Sequence, residues 1–107
     1  MSATKIVRAT GAAAIATTCA PGVPWQLESV RVHLSAAGGA GSLTVTVDNG
    51  AGAAYDVLLL TQDMTAVTSL VWIPARPIEF FADDEVDVAY ANANTRTYGL
   101  EIVYKAN

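Results

Sequence analysis

One thiol and one imidazole are all this chain offers for nucleophilic catalysis: Cys19 and His33. Such a pair works only when the base sits within hydrogen-bond reach of the nucleophile and a third group orients it. His33 shares its strand parity with Arg31 and Ser35, which makes it an outward residue. Cys19 lies in a stretch with no clear period, and no motif surrounds either residue. One His and one Cys also fall short of a zinc ligand set at any usual spacing. The expectation is a chain with no catalytic residue and no cofactor.

Five acids fall within nine residues: Glu79, Asp83, Asp84, Glu85 and Asp87. A hard cation wants several carboxylates, but the spacing is not that of a helix–loop–helix calcium site. Glu85 and Asp87 share one parity, as on the outward face of a strand. The group therefore reads as a solvated turn and strand face with no metal, or as an acidic contact for bases on a neighbouring chain. Trp25, Trp72, Tyr55, Tyr90, Tyr98 and Tyr104 are the material for a sugar-stacking platform. Tyr90, Tyr98 and Tyr104 share parity with aliphatic positions, which favours the core, where aromatics supply much of the buried area. Trp72 is out of phase with Val67, Val71 and Ile73, so it is expected to face outward.

These residues must be positioned by strands. From Trp25 onward the pattern has period two, with Val30, Val32 and Leu34 alternating with Arg31, His33 and Ser35. The same alternation recurs at Leu43–Val47, Val86–Tyr90 and Tyr98–Tyr104. Turn residues separate the runs, notably Pro21-Gly22-Val23-Pro24 and Asp48-Asn49-Gly50. About eight strands follow, at 4–9, 25–35, 43–47, 54–61, 66–73, 78–81, 85–92 and 96–105. Short strands at this spacing predict an all-β fold, an antiparallel β-sandwich of jelly-roll type. Trp25 and Leu27 fall on odd positions and Val30, Val32 and Leu34 on even ones. One face cannot bury both sets, so a β-bulge near Glu28-Ser29, or a strand crossing between sheets, is expected.

The chain has 107 residues, enough for one core, and a net charge of −4. Its six bases are scattered singly, which argues against nucleic acid and against anionic membrane surfaces. Gly11–Ala20 is too poor in large apolar residues for a signal peptide, and no stretch approaches the length of a membrane span. Only 15% of residues are charged, while 20 are Ala and 11 are Thr. A small domain has much surface to cover, so a chain this short of charge is expected to be partly covered by other chains and partly surfaced by small residues. Residues 1–18 read as an extended N-terminal arm and 19–107 as a single sandwich domain. The arm has few large side chains, so its ordering is expected to come from strand addition to a neighbour. Lys5, Ile6, Val7, Arg8 and Ile15, with Trp25 and Trp72, are the interaction candidates.

A further pattern runs Tyr55-Asp56-Val57-Leu58-Leu59, Thr61-Gln62-Asp63-Met64, Pro74-Ala75-Arg76-Pro77-Ile78, Asp84-Glu85-Val86-Asp87-Val88-Ala89-Tyr90-Ala91-Asn92 and Tyr98-Gly99-Leu100-Glu101-Ile102. Over about residues 43–105 it resembles small β-sandwich proteins of bacteriophage virions, such as capsid decoration proteins and fibre or spike modules. Asp83 stands where such proteins usually have Gly. The resemblance implies a virion component assembled in the bacterial host cytoplasm and no catalytic residues. Capsid decoration or cement is the expected role, with the major capsid protein and copies of itself as partners. The rival expectation is a carbohydrate- or receptor-binding module of a fibre or spike.

Overall fold

A computed structural model describes residues 3–106. Residues 1 and 2 of the expected arm, and residue 107 of the expected domain, lie outside the described residues. Nine strands form: β1 (Ala3–Gly11), β2 (Ile15–Cys19), β3 (Trp25–Leu34), β4 (Ser42–Asp48), β5 (Val57–Asp63), β6 (Ser69–Trp72), β7 (Ile78–Phe80), β8 (Glu85–Tyr90) and β9 (Tyr98–Ala106). The remaining element among the described residues is a single 3-10 turn at Ala53–Tyr55.

The strands make two antiparallel sheets. One has the order β1-β9-β3-β6, with β7 also beside β3, and the other the order β2-β8-β4-β5. The first strand pairs with the last, β2 with β8, β3 with β6 and β7, and β4 with β5. Between the sheets lies one core, built from the inward set of each strand: Leu27, Val30 and Val32 from β3, Leu43 and Val45 from β4, Val86 and Val88 from β8, Leu100 and Ile102 from β9. The expected all-β sandwich is therefore the architecture. The phase change in β3 is present as a bulge, with the β3–β9 register shifting between Leu27 and Ser29. It lets Trp25 and Leu27 join Val30, Val32 and Leu34 on one buried face.

The N-terminal segment differs from expectation. Residues 3–11 pair along their whole length with β9 of the same chain, and Ile15–Cys19 pairs with β8. The segment read as an arm thus supplies one strand to each sheet, and β2 runs through the expected boundary at residue 18. The physical reason is that few large side chains suffice: Val7 and Ala9 reach the core, Ile15 and Cys19 are buried in it, and backbone hydrogen bonds do the rest.

Short links decide the flanks. Three residues join β1 to β2, and five join β5 to β6. The first is too short to cross the width of a four-stranded sheet, since strands lie about 4.8 Å apart and sheets about 10 Å apart; the second is folded back on itself, the Val67 amide donating to the Met64 carbonyl and the Ala66 amide to that of Gly38. So β1 and β2 are edge strands on one flank of the sandwich, and β5 and β6 are edge strands on the other.

Asn92 ties the ends of the two sheets together. It is buried, in the left-handed region at φ 55°, between β8 and β9. Its Nδ2 donates to the carbonyls of Ala12, Ala13 and Arg96, and its Oδ1 accepts from the Arg96 amide. A short amide side chain tolerates this backbone and turns inward to serve the loop between β1 and β2.

Candidate interaction surfaces

The thiol and the imidazole are not brought together. Cys19 is fully buried at the end of β2, and burial pushes its thiol up to about 12, so it stays protonated. His33 lies on the outer face of the other sheet, with Nδ1 2.8 Å from Ser69 Oγ. The acids at 79–87 do not converge either. Among the described residues no group of three or more potential ligands surrounds a metal position. Asp84 accepts from the Phe81 amide through Oδ2 at 2.9 Å, closing a turn, and Asp87 accepts from Thr18 across the outer face of its sheet.

The aromatic residues do not assemble a platform. Trp25 is buried, packed at 4.7 Å against Phe80 and edge-on at 5.6 Å to Tyr104, with Nε1 donating to the Asp84 carbonyl. Tyr90 and Tyr98 are also buried. Trp72, expected outward, packs half-buried against the core. The correction follows from register: Trp72 pairs with Val30 and Leu70 with Val32, so Leu70 and Trp72 take the inward phase. Val71 and Ile73 are then turned out, 61% and 68% exposed.

Of the other interaction candidates, Ile15 is core and Val7 packs against it. Ile6 is exposed on the outer side of β1. Lys5 is exposed and makes no ion pair among the described residues. Arg8 and Arg31 both reach Glu101, each at 2.7 Å, making a row across β1, β9 and β3. Beside that row Gly99 has no side chain and nothing near its Cβ position, leaving a shallow trough of about 370 Å³ bordered by Arg8, Arg31, His33 and Ser69.

No family model matches the chain, and no curated protein matches it.

The largest apolar exposure begins at Val71, which lines the trough beside Gly99, and otherwise lies outside it. Tyr55 stands out in the turn before β5, Val57 and Leu58 at the start of β5, Val71 in β6 with Ile73 just after it, and Phe81 just after β7. Since β6 and β7 lie on the same side of β3, these six share one flank with β5. On β5 the register with β4 shifts between Val45 and Thr46, so Leu59 and Leu60 both pack on the core while Leu58 faces out, 55% exposed. Phe81, 81% exposed, is held by the Asp84 turn beside a hollow of about 580 Å³ walled by Pro24, Trp25, Phe80 and Lys105. Parity had placed Val71 and Ile73 inside. The signal available was Trp72 itself, whose larger apolar area outweighs its neighbours in setting the phase of so short a strand.

Proposed function

We propose that the chain is a non-enzymatic structural protein of a phage particle, a capsid decoration or cement protein that works through contacts with other virion proteins and with its own copies. The observation that carries this reading is the surface. Six large apolar side chains are exposed along one flank of a domain in which only 15% of residues are charged. Large apolar side chains left exposed on the edge strands of a small domain are characteristic of a protein interface. The absence of any converging group of nucleophile and base in the described residues is compatible with that role and adds nothing to it.

The topology we propose is a jelly roll. What supports it is the pairing of first strand with last, β2 with β8, β3 with β6 and β7, and β4 with β5. That is one long antiparallel ribbon, wound so that successive pairs fall in alternate sheets. Jelly rolls of this kind build viral capsid and lectin domains. In this reading the protein sits in the virion, made and assembled in the bacterial host cytoplasm, and engages neither nucleic acid nor membrane. The fibre or spike alternative draws on the trough over Gly99, where two guanidiniums and one carboxylate leave a small positive excess suited to an anionic sugar.

The test is protein composition. Purified particles from a host carrying this gene are expected to contain the chain in many copies, and to lose stability to heat or osmotic shock when the gene is deleted. Particles that contain none of it refute the virion reading. Its presence at a few copies, with host adsorption lost on deletion, favours the fibre alternative.

A further inference from the structure

The two flanks of the sandwich carry opposite charge. Residues 3–19, which form β1, β2 and their link, hold Lys5 and Arg8 and no acid. Residues 53–72, which form the approach to β5, β5 itself, its link and β6, hold Asp56 and Asp63 and no base. Asp56 Oδ1 makes no hydrogen bond among the described residues. The three ion pairs among the described residues, Arg8–Glu101, Arg31–Glu101 and Lys105–Glu28, all lie on the sheet of β1, β9 and β3. None neutralises Asp56 or Asp63. Farther along the β6–β7 edge, Arg76 and Glu79 balance one another in charge.

Both flanks also end in strand edges that pair with no further strand among the described residues. A free edge presents a row of backbone donors and acceptors ready to pair with another chain. Natural edges are commonly blunted with charge, and β1 carries two bases in its nine residues. β5 has no charge from Val57 to Gln62 and exposes Val57 and Leu58.

We propose that copies of this chain associate head to tail, the β1–β2 flank of one copy against the β5–β6 flank of the next. The occupant is a second copy because the same chain supplies both halves of the match. One flank is apolar and carries two acids outside any ion pair among the described residues; the other is small-residued and carries Lys5, likewise outside any ion pair, and Arg8, which shares the single carboxylate of Glu101 with Arg31. Pairing two β5–β6 flanks about a twofold axis would bring the uncompensated acids of both copies together. A heterologous contact avoids this, and repetition of it generates a ring or a filament. The inference deepens the self-association in the function proposed above, but it needs only the chain itself.

The experiment uses sedimentation velocity on the full chain and two folded variants, checked by thermal melting. Lys5→Glu/Arg8→Gln alters the first flank and leaves Glu101 a hydrogen-bond donor. Leu58→Lys/Asp63→Asn alters the second and keeps an acceptor for the Thr65 amide; Val71→Lys replaces it if it melts early. The wild-type chain is expected to sediment as an assembly of more than two copies, and each variant alone as single copies. An equimolar mixture of the two is expected to form two-copy species and nothing larger, because each mixed pair retains one intact junction. A wild-type chain that stays single at high micromolar concentration overturns the inference. So does a first-flank variant that assembles like wild type, or a mixture that stays single. Capsid binding plays no part in the readout. Assembly without any virion role would leave this inference standing and refute the function, and a virion protein that never self-associates would do the reverse.

Discussion

The two flanks of this sandwich are built from edge strands of similar length and are chemically opposite. β1 and β2 are small, polar and basic; of their large apolar residues, Val7 and Ile15 turn inward and Ile6 is the exposed one. β5 and β6 are apolar and acidic, and their large side chains are turned partly outward. The sheets repeat the contrast. The strands of β1, β3, β6, β7 and β9 carry four bases and three acids, while β2, β4, β5 and β8 carry four acids and no base. Yet the core is shared, because each inner face needs the other to exclude water. Charge polarity is therefore a property of the surface alone, and the interior has none of it.

That separation can be broken most severely from the inside. Leu43 on β4 and Leu100 on β9 are both buried, one from each sheet. Leu43→Ala and Leu100→Ala are each expected to cost about 2–5 kcal/mol, from lost transfer energy and the cavity left behind. Urea unfolding measures both. If one variant were near neutral while the other fell in that range, the two sheets would not share a single core.

A smaller effect is expected at Asn92, which joins the β1–β2 loop to the turn between β8 and β9. Asn92→Ala leaves the Arg96 amide and the carbonyls it served without their partner, for an expected loss of about 1–3 kcal/mol. Amide hydrogen exchange should then show β1 and β2 opening more readily than β5 and β6. Uniform loss of protection across all strands would show that the clamp serves the whole domain and not one flank.

The smallest effect distinguishes the charges of the two sheets. The hydrogen bond from Arg8 holds the Glu101 carboxyl below the usual range, with help from the charge of Arg31. The Thr65 amide does the same for Asp63. A carboxyl depressed in the folded state adds stability above its unfolded value, and that stability is lost as pH falls through the folded value. Both contributions therefore belong to the acid side, fading as pH drops below the ordinary carboxylate range. They differ in salt. Raising ionic strength should move the Glu101 titration toward normal and leave Asp63 nearly unchanged, since mobile ions screen an exposed ion pair but not a hydrogen bond to backbone. Carbon-detected NMR titration at low and high salt reads both. Equal shifts would mean that Asp63 is held by charge instead.

The strands of the central runs were legible because each has one large apolar set at period two, as in Val30–Val32–Leu34 and Leu100–Ile102. The bulge at Leu27–Ser29 was legible for the same reason, since two apolar sets fell on opposite parity. Where both parities are apolar, period two carries no information. Val71-Trp72-Ile73 and Leu58-Leu59-Leu60 are such runs, and their outward residues became visible only through pairing with β3 and β4. The N-terminal segment failed in the opposite way. It has too few large residues to show a phase, so nothing local distinguishes a strand within its own sheet from an arm on a neighbour's.

What the sequence determined by itself is therefore the class of the fold, most of the buried set, and the scarcity of groups able to do chemistry. These depend on composition and on a period of two, both of which are local. Tertiary structure alone decided that Cys19 and His33 lie apart, that residues 3–11 close onto β9, and that bases gather on one flank and bare apolar side chains on the other. Those facts depend on which strands become neighbours, and in this fold the first strand's neighbour is the last. The chain brings together residues some ninety positions apart, as Arg8 and Glu101 show. No local pattern records a pairing at that distance, because backbone hydrogen bonds are the same whichever strand supplies them.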